Sequence, residues 1–371
     1  MYNENITIQK IFEESSAISN GQGLIAPLGI KENDEIEYVD YSKINHLLVC
    51  GTSGSGKTTF VRTLLTSLIA LNSPSKLKFC IFDSKHIDYM EFNDTPFLLV
   101  PVTHDNRKCS GIIGWALSEA KKREMLSTVN PDIIKDYSDI FIVLDDYAEI
   151  AQDQVAQESL YKLLQIGHRV KIHVIIVTTI ALAKVISEDI KVNIPHRLSF
   201  YLPERRSSQV VIDQDGAETL DFPGEFIAKF YSKATTFRSI ELSDLEIKNL
   251  CDFSKFGGEC DELLFKHIVN NWNVEISELK TEYDEDILSE IESIANPQKC
   301  VFNFDDVDGD PFYDEAVQLV LETGMASTSV LQMKLKIGYA RAVRIMDEME
   351  ANGVIGPSEG AKPRKVLINK E

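Results

Sequence analysis

His46-Leu47-Leu48-Val49-Cys50-Gly51-Thr52-Ser53-Gly54-Ser55-Gly56-Lys57-Thr58 is the stretch that decides how this chain folds. An apolar run leads straight into a G-x-x-x-x-G-K-[ST] pattern, and a helical apolar period opens at Thr59. Strand, glycine-rich loop and helix in that order make a P-loop. Its glycines let backbone N–H groups wrap phosphate, and the helix N-terminus adds positive potential. Gly51, Thr52, Ser53, Gly54, Ser55, Gly56, Lys57, Thr58 and Thr59 are therefore the expected nucleotide contacts. Within the pattern Lys57 reaches the β- and γ-phosphates, and the Thr58 hydroxyl ligates Mg²⁺.

Working outward, further apolar runs at 77–82, 140–145 and 173–178 read as buried parallel strands, with helical patterns at 59–71 and 111–125. Strands alternating with helices predict an α/β domain with a mostly parallel sheet. Runs at 197–202 and 225–230 would extend that sheet, and the domain should end near residue 250. A P-loop needs an acidic partner at the end of a nearby strand. Ile140-Phe141-Ile142-Val143-Leu144-Asp145-Asp146 supplies it, an apolar run closing in two carboxylates. Asp145 is the expected ligand of the Mg²⁺ shell. Asp146 stands where many ATPases place a glutamate that orients the attacking water; a helix cap or exposed turn is the plainer alternative.

Composition bounds the rest. At 371 residues two or three domains are expected, and 44% apolar with 26% charged residues is ordinary for a globular chain. No stretch approaches the roughly 18 apolar residues of a membrane span. With no signal-peptide pattern at the N-terminus either, a cytoplasmic protein is expected. The six cysteines form no C-x-x-C pair and read as buried thiols, and the seven histidines show no metal-ligand spacing, so no structural metal is expected. A net charge of −20 argues against a nucleic-acid partner, but residues 273–310 alone carry −10 of it, while 311–371 is neutral. The expected domains are a lead-in at 1–45, the ATPase domain at 46–272, an acidic linker at 273–309 with a short helix at 286–294, and a small C-terminal domain at 310–371. That last domain has helical patterns at 313–322, 329–334 and 339–352 and a short strand at 365–368, which spells a winged helix.

Several motifs together resemble the FtsK/SpoIIIE family. Phe82-Asp83-Ser84-Lys85 is similar to its I-D-P-K motif, and Asp145-Asp146-Tyr147-Ala148-Glu149 to its D-E-F-A-D. Ile190-Lys191-Val192-Asn193-Ile194-Pro195, followed by Arg197, resembles I-K-A-N-I-P-x-R, and Asp213 to Leu220 resembles D-Q-x-G-A-E-x-L. Ile337-Gly338-Tyr339 and Arg341-Ala342-Val343-Arg344-Ile345 resemble the γ winged helix. The resemblance implies a RecA-like P-loop ATPase that uses ATP and Mg²⁺ and works as a homo-hexameric ring around double-stranded DNA. It covers the motor and γ parts, with no counterpart for the membrane segment of the large members, so a compact soluble version is expected.

Three departures bear on catalysis. Asp146 is one methylene shorter than the family glutamate, Thr179 stands at the family's γ-phosphate-sensing glutamine, and Gln209 stands at its trans-acting arginine finger, for which Arg205 or Arg206 could substitute. A missing finger costs about 10³ to 10⁵ in rate, so slow hydrolysis is expected. Residues 337–346 resemble a recognition helix, with Val343 and Met346 or Ile345 turned to the core and Arg341 and Arg344 on the other face. Lys334, Lys336, Arg341, Arg344, Lys362, Arg364 and Lys365 are the expected DNA contacts. Three functions compete: a duplex-DNA translocase, an ATP-switched DNA clamp or recruiter with weak hydrolysis, and a protein-secretion motor, against which the winged helix argues.

Overall fold

Strand β3 (Leu47–Cys50) is buried at every residue and lies between β6 (Ile172–Thr178) and β7 (His196–Phe200), parallel to both. Beyond β6 follow β5 (Asp139–Asp145) and the edge strand β4 (Leu77–Asp83), again parallel. β5 and β6 are buried throughout, because helices cover both faces of this part of the sheet. Such strands read as unbroken apolar runs rather than alternation. The structure, a computed structural model, describes residues 6–19, 23–221, 223–256, 283–295, 312–323, 326–335, 337–351, 354–356 and 364–367.

On the other side of β7 the chain direction alternates. β8 (Glu225–Phe230) and β9 (Lys233–Arg238) form an antiparallel hairpin, and β1 (Ile25–Ile30) meets β9 where Ile30 pairs with Arg238. β2 (Ile36–Asp40) closes that edge, giving the order β2-β1-β9-β8-β7-β3-β6-β5-β4. The run at 225–230 thus extends the sheet, but in the antiparallel sense. Nor does the chain divide at residue 46. Two strands of the expected lead-in belong to the sheet, and helix α1 (Ile8–Ser19) packs Ile8, Ile11 and Phe12 into the same core. β1 covers the edge of β9 at the Ile30–Arg238 pair, which protects that end of the strand.

Helix α2 (Lys57–Leu71) packs against α1 and β1. On the sheet's far part α3 (Asn106–Val129) lies against α5 (Gln154–Ile166), with α4 (Tyr147–Ile150) the single turn after β5. α6 (Glu188–Asn193) packs on α5, α7 (Arg205–Ile212) on β7, and α8 (Asp244–Phe256) on α2. Cys50, Cys80, Cys109 and Cys251 are buried and free; Cys260 and Cys300 lie outside the described residues. Among the described residues no helix is long and apolar enough to cross a membrane.

The chain separates into two compact units, Met1–Asp284 and Glu285–Glu371. In the second, α9 (Glu285–Ala295), α10 (Tyr313–Thr323), α11 (Thr328–Leu335) and α12 (Tyr339–Ala351) are joined by two bridges, Ala326 to Arg364 and Ile355 to Val366. The helix expected inside the acidic linker therefore belongs to this unit. Its core is built from Ala316, Val320, Leu331, Ile345, Met346 and Met349 among others. Both Ile345 and Met346 face inward with Ala342, whereas Val343 is half-buried and Leu367, an expected core residue, is 55% exposed. Positions 342, 345, 346 and 349 form one stripe at helical spacing, and 343 falls off its edge. Ile345→Ala should cost the isolated Glu285–Glu371 unit about 2–5 kcal/mol, read as a lower urea midpoint, whereas Leu367→Ala should leave the midpoint nearly unchanged.

Candidate active site

Gly51 begins the loop where β3 ends, and a Cβ there would stand 2.5 Å from the Phe200 Cβ and 2.7 Å from the Ser55 Oγ. Only glycine fits so close an approach. Gly54 and Gly56 hold φ values of 74° and 108°, the left-handed region that glycine enters freely. The loop is braced by Thr52 N donating to Tyr201 O at 3.0 Å and Gly224 N donating to Ser55 O at 3.0 Å. Gly56 caps α2 with no side-chain hydrogen bond, so the first N–H groups of that helix are not spent on a capping side chain. Ser55 Oγ is buried without a hydrogen-bond partner among the described residues. Lys57 Nζ donates to Thr52 O at 2.8 Å, and burial lowers the amine's pKa against the opposing pull of Cys50, Asp145 and Asp146. Open helix donors, a lone buried hydroxyl and an inward lysine suit a polyphosphate.

That loop forms one wall of a cleft of about 1060 Å³ in the first unit, which Ser53, Gly54, Lys57, Thr58 and Thr59 share with Lys85, Asp145, Asp146 and Thr179. The cleft lies at the carboxyl ends of the parallel strands, where α/β sheets bind ligands. Asp145 ends β5 and is 7% exposed; its Oδ2 accepts from the Tyr89 hydroxyl at 2.9 Å. Burial pushes the Asp145 carboxyl up to about 6, although the Tyr89 bond and the charge of Lys85 pull it down. Asp146 sits at φ 64°, a left-handed turn from β5 into α4 that turns its half-buried carboxylate toward the same cleft. With Thr58 at the loop and Asp145 opposite, the hydroxyl and carboxylate oxygens suit a hard divalent cation.

A far wall had no motif to announce it. Ile6, Thr7 and the segment from Arg238 to Ile247 line it. Ser243 and Glu246 form a reciprocal capping box on α8: Glu246 N donates to Ser243 Oγ, and Ser243 N donates to Glu246 Oε2. The other oxygen of Glu246 accepts Ile8 N at 3.0 Å, which joins α1 to α8. Arg62 pairs with Glu91 and with Asp244 beside the cleft. The S-x-x-E signal was legible, but it marks a helix start and says nothing of a nucleotide.

The residues expected to act on a neighbouring subunit's nucleotide lie elsewhere. Gln209 Nε2 donates to Asp215 Oδ1 at 2.8 Å, and Arg205 pairs with the same carboxylate, while Arg206 is exposed. Their segment is anchored by Asp213 at φ 56°. Burial would raise that carboxyl's pKa, but Lys229, Lys191 and Arg197 hold it well below the carboxylate range. In the second unit Arg344, Lys334 and Lys365 are exposed. The Arg341 guanidinium stacks 4.6 Å from the Phe312 ring centroid, and Arg364 is engaged by Asp347 at 3.0 Å and Glu350 at 2.5 Å. Those carboxylates already neutralise Arg364, so it is not a free cation for a phosphate. Lys336 and Lys362 lie outside the described residues.

Residues 8–219 match the model of the FtsK/SpoIIIE family, more than half of the chain. The chain belongs to the FtsK/SpoIIIE family. Residues 307–369 match the FtsK gamma domain. The DNA translocase FtsK of Clostridium tetani is 32% identical over 352 residues, covering 90% of this chain and 44% of the relative. That of Caldanaerobacter subterraneus is 30% identical over 386 residues, with 100% and 50% coverage. The chain thus spans about half the length of these relatives. Among solved structures, the pCW3 conjugation coupling protein TcpA with ATPγS is similar at a TM-score of 0.56 and 19% identity, covering 62% of this chain and 71% of that one. The cytoplasmic domain of the Thermomonospora curvata type VII secretion ATPase EccC gives 0.58 and 17%, covering 69% of this chain and 35% of that one. At such identities the likeness is one of fold, that of a P-loop ATPase.

Within this FtsK/SpoIIIE-family unit, Asp145 also sets a stability balance. Its folded carboxyl titrates near 6 against an ordinary 3.8, so its contribution to stability is full below pH 3.8 and is lost as pH rises through about 6. The loss is on the order of 3 kcal/mol. Asp145→Asn should therefore raise the urea stability of the nucleotide-free protein at pH 7.5 by about 1–3 kcal/mol. At pH 4 the gain should vanish; a gain of equal size at both values would contradict the assignment.

Proposed function

We propose that this chain is an ATP-driven motor for double-stranded DNA that assembles as a homo-hexameric ring. The observation that carries the reading is the pairing, in one chain, of a P-loop cleft closed by a buried strand-end aspartate with an FtsK gamma domain. The relatives are DNA translocases, which agrees with it.

ATP is held by the loop N–H groups from Gly51 to Thr58, with Lys57 on its β- and γ-phosphates. Thr58 and Asp145 would hold the Mg²⁺, which when bound would neutralise charge developing on the phosphates. Asp146 lies beside Asp145 on the cleft and accepts a hydrogen bond from the attacking water. In the C-terminal unit Arg344, Lys334 and Lys365 meet the DNA backbone, joined by Lys336 and Lys362, while Arg341 shares the recognition-helix face with Arg344.

One observation favours a second reading, an ATP-switched clamp with weak hydrolysis. Gln209 and Arg205 both engage Asp215, so of the two exposed guanidiniums of that turn one already has a carboxylate partner. DNA-stimulated turnover by the purified protein separates the two: a motor hydrolyses ATP faster on duplex DNA, and a clamp binds DNA with ATP but turns over little. Under either reading Lys57→Ala should lose ATP binding and turnover with the fold intact by circular dichroism; turnover that persists would remove the nucleotide site.

The DNA end is tested by salt. Affinity for a random duplex should fall by about 0.9 log unit per phosphate contact for each log unit of salt, and Lys365→Ala should lower that slope by about one. Arg364→Ala should leave the slope nearly unchanged, since its charge is matched within the domain.

A further inference from the structure

We propose that Tyr89 is a positioning residue of the nucleotide site, its phenol fixing the Asp145 carboxylate for the Mg²⁺ shell. The inference rests on the reading of the cleft as a Mg²⁺–ATP site.

Tyr89 is fully buried, in a core that includes Phe92, whose ring centroid lies 6.3 Å away. A leucine or phenylalanine would fill such a place without bringing a hydroxyl out of water, which is costly unless the hydroxyl is bonded. A phenol has a single O–H to donate, and this one goes to Asp145 Oδ2 at 2.9 Å. The hydroxyl's place in the core is thus explained by the carboxylate it meets.

The turn that delivers Tyr89 is braced as well. Asp83, 1% exposed, accepts N–H bonds from Lys85 at 3.1 Å, Ile87 at 2.9 Å and Asp88 at 2.8 Å. Phe92 N donates to Tyr89 O at 3.1 Å and closes the next turn. Asp83 and Asp145 are register partners on β4 and β5. The chain of restraint therefore runs from the end of β4, through the Asp83 turn, to the Tyr89 hydroxyl and back to the end of β5. A carboxylate's last torsion is a broad, soft one. A bond to Oδ2 stops that rotation and leaves Oδ1 outside the bond, on a residue that lines the cleft with Lys57 and Thr58.

Partners that orient a metal ligand typically cost about 10- to 100-fold in metal affinity when removed. The experiment compares the unsubstituted protein with Tyr89→Phe in binding a fluorescent ATP analogue, with Mg²⁺ titrated and with EDTA. Tyr89→Phe should raise the half-saturating Mg²⁺ about tenfold or more, with nucleotide affinity in EDTA kept within about twofold. Unchanged Mg²⁺ dependence, or affinity lost equally in EDTA, would overturn the inference and leave Tyr89 a packing residue. No Mg²⁺-dependent binding by the unsubstituted protein would overturn the nucleotide-site reading and this inference with it. Should Tyr89→Phe not fold, 3-fluorotyrosine introduced at position 89 keeps the phenol. Its fluorine resonance should then move when Mg²⁺ joins the bound nucleotide and stay still when nucleotide binds in EDTA, and a resonance indifferent to Mg²⁺ overturns the proposal.

Discussion

Helix α2 has almost no side facing water, and the P-loop inherits its rigidity from that enclosure. Twelve of its fifteen residues are buried, including Thr63, Thr66 and Ser67. Those hydroxyls are satisfied by backbone carbonyls: Thr66 Oγ1 donates to Arg62 O, Ser67 Oγ to Thr63 O, and Thr63 Oγ1 to Ile240 O. A helix bonded to itself and packed against α1, β1 and α8 cannot slide along its axis without breaking the core. Its first turn therefore stays where β3 ends, and the loop between them spans a fixed gap. Phe200 then presses on Gly51 from β7, so the sheet itself decides which residue can start the loop.

A second constraint is electrostatic. The parallel strands converge on a cleft that gathers the buried Lys57 and Asp145 with the half-buried Asp146 and the exposed Lys85. Burial weakens both the ammonium of Lys57 and the carboxylate of Asp145, which each lose hydration when charged. A polyphosphate with its divalent cation supplies the missing partners to both. The site is in that sense less comfortable alone than with its ligand, as catalytic constellations commonly are.

How much of this was readable follows from the range of each interaction. P-loop, strand-end carboxylates and parallel strands are written in contiguous residues, and their positions in the sheet match the apolar runs almost residue for residue. Pairing between distant segments was not written there. Nothing local at Ile25–Ile30 says that it will pair β9, and nothing at Tyr89 marks its hydroxyl for Asp145, fifty-six positions on. Arg364 illustrates the same limit in the C-terminal unit. A basic residue near a wing reads as a phosphate contact until Asp347 and Glu350 are found beside it. Val343 and Ile345 were both apolar at a recognition helix, and only the burial stripe distinguishes the one that faces inward.

The bond between Ile8 N and Glu246 spans 238 positions of sequence, and it stands at the far wall of the cleft. Contacts of that separation are late to form, because the loop they close must be ordered first. The braces of the P-loop, at Phe200, Tyr201 and Gly224, all precede α8 in the chain. During synthesis the loop and these braces are therefore made before the wall at residues 238–247. The cleft is complete only once both margins of the first unit have come together, so any ligand that fills it favours the state in which they are joined.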